Sequence, residues 1–354
     1  MSISATGTVL LTSFVAVLVA MPVLIRLAPR LGLLDRPDAR KRHAGSVPLV
    51  GGLALILGLS IGLAEYLPVD QRLAWLWLGG ALLAAAGGVD DRRGLTPAFR
   101  FSIQTLACLL MSLAAGVVLA DFGELLWPAT LPLGWLAVPV TLFCVVGVTN
   151  AVNMIDGMDG LSASLALVCL LGVLSAAWHA GWPLSALPEV TALAGGLCAY
   201  LLFNMRLPWR PRALAFFGDA GTLLLGFLLG WILVERSQGP ERLFAPVTAL
   251  WLLAVPLMDT VFVMIKRRRA GRDMTAADRE HVHHAFLRSG RSVGLTLLSL
   301  TGLAAGLAVT GLALERFGVP EYLSYYLFLA LCAVYYGVMS RAWARRRFLG
   351  RDIQ

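Results

Sequence analysis

Apolar runs of about twenty residues, separated by short polar stretches, recur along the whole chain. They fall near 6–27, 49–67, 72–89, 99–119, 131–149, 161–181, 187–204, 216–234, 243–265, 292–315 and 321–340. A helix needs roughly 20 mostly apolar residues to cross the hydrocarbon core of a bilayer, so this pattern predicts about eleven transmembrane helices. The first run extends for about 19 residues before Arg26, longer than the roughly 7–15 apolar residues of a cleaved leader. It is expected to be retained as a helix.

Composition strengthens that reading. Of 354 residues, 58% are hydrophobic and 14% charged, and mean hydropathy is +0.77. Ordinary soluble domains carry about 25% charged residues, so a water-soluble protein, a disordered chain and a secreted disulfide scaffold are all excluded. Cys108, Cys144, Cys169, Cys198 and Cys332 stand singly inside apolar runs and read as small core residues. With no internal repeat and little chain outside the spans, residues 1–354 are expected to form a single polytopic, all-α integral membrane domain.

Charge then orients the spans. The loops after the first, third, seventh and ninth spans, together with the C-terminal tail, hold 25 of the 29 Lys and Arg residues. Basic loops stay cytoplasmic. The N-terminus is therefore expected outside and the C-terminus in the cytoplasm. Only Arg72, Arg236, Arg242 and Arg316 fall on the outer side.

The polar clusters collect on the cytoplasmic side of this scheme. Asp90 and Asp91 end the third span, N-A-V-N-M-I-D-G-M-D-G-L starts at Asn150, F-F-G-D-A-G-T starts at Phe216, and D-R-E-H-V-H-H occupies 278–284. Carboxylates within a membrane are costly and mark function, so a shared aqueous cleft at this face is predicted. Asp90 and Asp91, being adjacent, would diverge on a helix, which suggests different jobs. Asp156 and Asp159, three apart, would share a face if their segment is helical. Carboxylates without paired thiols favour a hard cation such as Mg²⁺, which takes one or two protein carboxylates and bridges substrate phosphates. Histidines and arginines on the same side supply phosphate contacts. The parts together suit phosphoryl transfer with a lipid as one substrate.

These motifs, with D-R-P-D-A-R-K-R-H at 35–43, resemble those of the polyprenyl-phosphate N-acetylhexosamine-1-phosphate transferases, over a stretch from Asp35 to His284. H-V-H-H is similar to the run in the WecA/TagO-like branch, which uses UDP-N-acetylglucosamine. The muramoyl-pentapeptide branch carries three consecutive histidines and a lysine after the aspartate pair, where this chain has Val282 and Arg92-Arg93. Thr222 stands where serine is commoner, and keeps the hydroxyl.

The resemblance implies an enzyme that transfers a sugar-1-phosphate from a UDP-sugar to a polyprenyl phosphate and releases UMP, using Mg²⁺ (or Mn²⁺). It implies Asp219 as principal metal ligand with Asn153 second, although an aspartate opening a helix is also what an N-cap looks like. Phe216 corresponds to a ring that stacks on uracil, where packing is the plain alternative. Asp90 and Asp91 are candidates for orienting or deprotonating the lipid phosphate. Because that phosphate's second pKa is near 6, positioning matters more than proton removal. Asn150, Asp156 and Asp159 are expected around the nucleotide, and Arg279, His281, His283 and His284 around the pyrophosphate or sugar. Asp259 reads as a structural ion-pair partner, and the steps Gly226/Gly230 and Gly302/Gly306 as helix packing.

The expected setting is a bacterial inner membrane, with lipid and both substrates as partners, no nucleic acid, and a homodimer compatible with the sequence. Two rivals remain: a secondary transporter, whose sites lie near the midplane of repeated halves, and a CDP-alcohol transferase, whose Asp-Gly-x-x-Ala-Arg run is missing here.

Overall fold

A computed structural model describes residues 3–35, 45–126, 129–271 and 280–348. Helices dominate: α1 (Ile3–Leu31), α2 (Gly51–Gly62), α3 (Gln71–Arg93), α4 (Pro97–Leu109), α5 (Ala137–Ile155), α6 (Leu161–His179), α7 (Pro188–Asn204), α8 (Gly218–Arg236), α9 (Pro246–Leu252), α10 (Ala254–Arg269), α11 (Val282–Arg288), α12 (Val293–Arg316) and α13 (Glu321–Phe348). A five-residue π-helical turn extends α4 to Ala114. The one two-stranded sheet among the described residues is antiparallel, pairing Leu34 with Pro48 and Asp35 with Val47.

Every one of the eleven apolar runs contains helix, but not every helix has spanning length. Among the described residues, eight are long and apolar enough to cross a membrane, and α9 with α10 makes a ninth if that pair, bent by 82°, counts as one span. The other two runs fold as α2, of 12 residues, and α7, of 17. At 1.5 Å per residue they reach about 18 and 26 Å, short of the ~30 Å core. The structure thus supports a helical integral membrane protein with eight or nine spans by length and composition.

Helix α8 lies at the centre, buried continuously from Ala220 to Val234. Glycines let its neighbours approach to backbone contact. A Cβ on Gly52 of α2 would lie 2.2 Å from the Gly221 nitrogen, and one on Gly87 of α3 would lie 2.4 Å from the Ala220 nitrogen. On α8 itself, a Cβ at Gly226 would meet the Thr149 Cα at 2.5 Å, which bears out the packing reading of that step. Gly302 and Gly306 differ: a Cβ at either would find no atom within 4 Å, so that step on α12 faces outward.

At the end of α3 and α8 remote from Asp90 and Asp219, arginines pair with carboxylates. Arg72 lies 3.8 Å from Glu235, Arg236 bonds buried Glu189 at 2.5 Å, and Arg242 pairs with Glu321.

Candidate active site

The site forms where α3, α4, α5 and α8 meet. Gly218 opens α8 with φ +68°, and a Cβ there would lie 2.4 Å from Asp91 Oδ2, so only glycine fits. The N-cap residue, Phe217, has no side-chain oxygen to offer the free N–H groups of the first turn. Asp91 supplies it from α3, accepting from Asp219 N at 2.7 Å and Ala220 N at 3.1 Å. Both of its carboxylate oxygens are therefore spent on holding Asp219.

Asp90 points elsewhere, as adjacency on a helix requires. Its Oδ1 accepts the Leu95 N–H at 2.6 Å, and its buried Oδ2 accepts no hydrogen bond but has Arg100 Nε at 3.2 Å. Arg100 Nη1 also lies 4.0 Å from Asp219 Oδ2. Arg100 is a member of this cluster that sequence reasoning missed. Counted there only as one of the basic residues that orient the spans, it sits on α4, nine residues beyond Asp91, and bridges two candidate carboxylates.

From α5, Asn153 Nδ2 donates to Asp219 Oδ1 and to Thr222 Oγ1, each at 2.7 Å. One turn earlier, Asn150 Nδ2 donates to Gln104 Oε1 and to the Val146 carbonyl, both at 2.8 Å. Asn150 thus ties α5 to α4, and its amide nitrogen is committed there.

The condition for Asp156 and Asp159 to share a helix face is not met. Helix α5 ends at Ile155, and 156–160 form a turn that enters α6 through Gly160 at φ +80°. Asp156 accepts the Ser162 hydroxyl at 2.5 Å, whereas Asp159 accepts from Arg206 Nε at 2.7 Å. Burial pushes the Asp156 carboxyl up to about 6; the Ser162 bond opposes this, and the charges of Asp219 and Asp159 add to it. Phe216 is half-buried, held by its backbone to Pro48 and Gly51, while its neighbour Phe217 is fully buried and stacks on Tyr200.

The three histidines, expected together around the pyrophosphate or sugar, differ in burial. His281 is buried with Nδ1 2.7 Å from Asp259 Oδ2, and so faces the core. His283 is fully buried against Gly157 with neither ring nitrogen hydrogen-bonded. Burial drives its pKa well below the usual imidazole value, with the nearby charges of His284 and His281 lowering it further. His284 alone of the three is half-exposed. Arg279 lies outside the described residues.

Among the described residues, no three His, Cys, Asp or Glu side chains gather closely enough to hold a metal ion by themselves. What is present is a partly exposed Asp219 carboxylate beside the amide of Asn153, with the orphaned Oδ2 of Asp90 across Arg100. Hard oxygen donors in that number fit a cation that completes its shell with substrate phosphate and water.

A family model described as glycosyl transferase family 4 matches residues 73–237. The undecaprenyl-phosphate alpha-N-acetylglucosaminyl 1-phosphate transferase of Yersinia pestis is 36% identical over 330 residues, covering 92% of this chain and 89% of that protein. The enzyme of the same name from Escherichia coli K12 is 34% identical over 329 residues, with the same shares covered. That from Haemophilus influenzae is 34% identical over 342 residues, covering 96% and 95%. The chain belongs to glycosyl transferase family 4. The family 4 match runs from the start of α3 to just past α8 and so includes Asp90, Asp91, Arg100, Asn153 and Asp219, while the histidine segment lies beyond it.

Proposed function

We propose that this protein transfers N-acetylglucosamine-1-phosphate from UDP-N-acetylglucosamine to undecaprenyl phosphate, releasing UMP. The supporting observation is the joining of Asp219, Asn153, Asp90, Asp91 and Arg100 at one helix end, in a chain 34–36% identical over some nine-tenths of its length to enzymes named for that product.

The chemistry exchanges one pyrophosphate link for another. An oxygen of the lipid phosphate attacks the phosphorus that bears the sugar, and the bond from that phosphorus to UMP breaks. The lipid phosphate is largely ionised at neutral pH, so orientation is the main demand. Asp90 and Arg100 are assigned to orienting the phosphates. Asp91, with both oxygens engaged, supports Asp219 from behind. Asp219 and Asn153 would hold a divalent cation, Mg²⁺ or Mn²⁺, whose chemistry when bound is to neutralise charge on the diphosphate. Asp156, Asp159 and Phe216 are assigned to the nucleotide, and His284 to the diphosphate or sugar. The cleft is read as opening to the cytoplasm, with the N-terminus outside, the C-terminus inside, and the protein in a bacterial inner membrane.

The test is UMP release by purified protein in detergent with undecaprenyl phosphate, Mg²⁺ and a panel of UDP-sugars, each repeated without lipid. Lipid-dependent release with UDP-N-acetylglucosamine is expected. Release with UDP-N-acetylgalactosamine or UDP-N-acetylfucosamine alone would keep the chemistry and change the donor. No release with any donor, from folded protein, would overturn the reading.

A further inference from the structure

The histidine segment is gripped at two points. At its start, buried Asp259 of α10 accepts three hydrogen bonds: from Val282 N at 2.8 Å, from His281 Nδ1 at 2.7 Å, and from Tyr335 Oη of α13 at 2.9 Å. Two residues on, His283 is fully buried, its ring parallel to that of His281 with centroids 5.9 Å apart. Its far edge rests on Gly157, in the turn that carries Asp156 and Asp159. A Cβ at Gly157 would lie 2.3 Å from His283 Nε2, 2.7 Å from Cε1 and 3.4 Å from Cδ2, and these are the three nearest atoms it would meet. Gly157 does not have positive φ. The missing Cβ is therefore required by the imidazole and not by the backbone.

We propose that His283 is a positioning residue: it acts as a spacer wedged between the histidine segment and the Asp156–Asp159 turn, with Asp259 and Tyr335 clamping the other side. An imidazole that accepts and donates nothing makes its contribution by shape. Its thickness sets how far His284 stands from the aspartate turn, and so the width of the gap in which a diphosphate would lie. Asp259 completes the device by fixing where the segment starts, since one carboxylate satisfies groups from α11, from α13 and from His281, which caps the start of α11. The role of the gap rests on the transferase reading above; the wedge itself does not.

The test is a cycle of Gly157→Ala, His283→Ala and the double variant, each followed by melting temperature in detergent and by turnover per folded molecule. Gly157→Ala alone is expected to lower the melting temperature and to reduce turnover by about tenfold or more, the scale of coupling between touching residues. In the double variant the alanine methyl occupies space vacated by the ring, so both values are expected to recover above those of Gly157→Ala. Tyr335→Phe, which removes one of the three bonds to Asp259, is expected to lower turnover at saturating substrate several-fold, about 1 kcal/mol for one hydrogen bond. Losses that simply multiply in the double variant, with no recovery in either readout, would overturn the proposal and return His283 to direct substrate contact. If wild-type protein releases no UMP, the transferase reading fails, and the melting-temperature cycle still decides whether the wedge exists.

Discussion

Asp91 and Asp219 are joined through the backbone: the carboxylate of one takes the N–H of the other at 2.7 Å, so the candidate metal ligand is held by its main chain while its partly exposed carboxylate meets Asn153 and Arg100. A capping interaction that most helices make locally is here made from a different helix, 128 residues away in sequence. Asp91→Ala should cost the roughly 0.5–2 kcal/mol of a lost cap, read as a lower melting temperature in detergent. Turnover should fall further than stability, because Asp219 loses its anchor. Asp91→Asn keeps one acceptor oxygen and should be the milder of the two. An unchanged melting temperature for Asp91→Ala would contradict the cap.

Asp219→Asn should abolish turnover, and raising Mg²⁺ should not restore it. Asn153→Asp sets a carboxylate against Asp219 Oδ1 where an N–H now donates at 2.7 Å. Its turnover is expected to fall by about a hundredfold, the scale for loss of a group that manages transition-state charge. Rates at saturating Mg²⁺ equal to wild type in either variant would exclude these residues from the metal site.

Arg100 contacts both Asp90 and Asp219. Arg100→Ala should reduce kcat by about tenfold or more and leave two carboxylates facing one another without a counter-charge. Arg100→Lys should recover only part of this, since an ammonium lacks the fork that reaches two partners. Wild-type kcat in Arg100→Ala would relegate it to orienting the chain in the membrane.

Asp156 and His283 should oppose each other in the pH dependence of stability. The folded-state pKa of Asp156 is raised to about 6 by burial. The native state therefore binds the extra proton, and the contribution of Asp156 is largest at or below about pH 4 and is lost as pH rises to about 6. His283 is lowered by burial, so its contribution is present above about 6.5, its unfolded value, and is lost as pH falls below that. Melting curves of Asp156→Asn and His283→Ala between pH 4 and 7 should each remove one of these slopes. Parallel curves for wild type and variants would refute both assignments.

Gly87 and Gly88 make a paired control on helix packing. A Cβ at Gly87 runs into α8 backbone, 2.4 Å from the Ala220 nitrogen, whereas one at Gly88 meets nothing within 4 Å. Gly87→Ala should destabilise by about 1–3 kcal/mol, as overpacking does, and displace the first turn of α8. Gly88→Ala should fold and turn over like wild type, and equal behaviour of the two would argue against the tight α3–α8 contact.

Much of this arrangement is legible in the chain itself. Apolar runs marked every long helix, and clustered aspartates and asparagines marked the ends that gather into a site, because burying charge in a membrane helix is costly enough to leave a trace. Spans of marginal length were harder: α2 and α7 are apolar throughout but sit within the bundle, where composition does not fix length. Arg100 looked like any cytoplasmic arginine, since a single charge carries no information about which carboxylates a helix crossing brings to it. The three histidines read as equivalent. Which of them turns inward depends on Asp259 and Gly157, which lie 22 and 126 residues from His281 and His283.

The arginine–glutamate pairs at the remote end of α3 and α8 also bear on how the chain enters the bilayer. In the proposed orientation, Arg72, Arg236 and Arg242 are translocated against a potential that opposes outward movement of cations, at about 2.3 kcal/mol per charge for each 100 mV. Each of these guanidinium groups is matched by a carboxylate at the same end, Glu235, Glu189 or Glu321, so the charges moved across cancel and little net electrical work is done. The voltage is left to act on the excess positive charge of the opposite loops, and it retains them on the side where they were made.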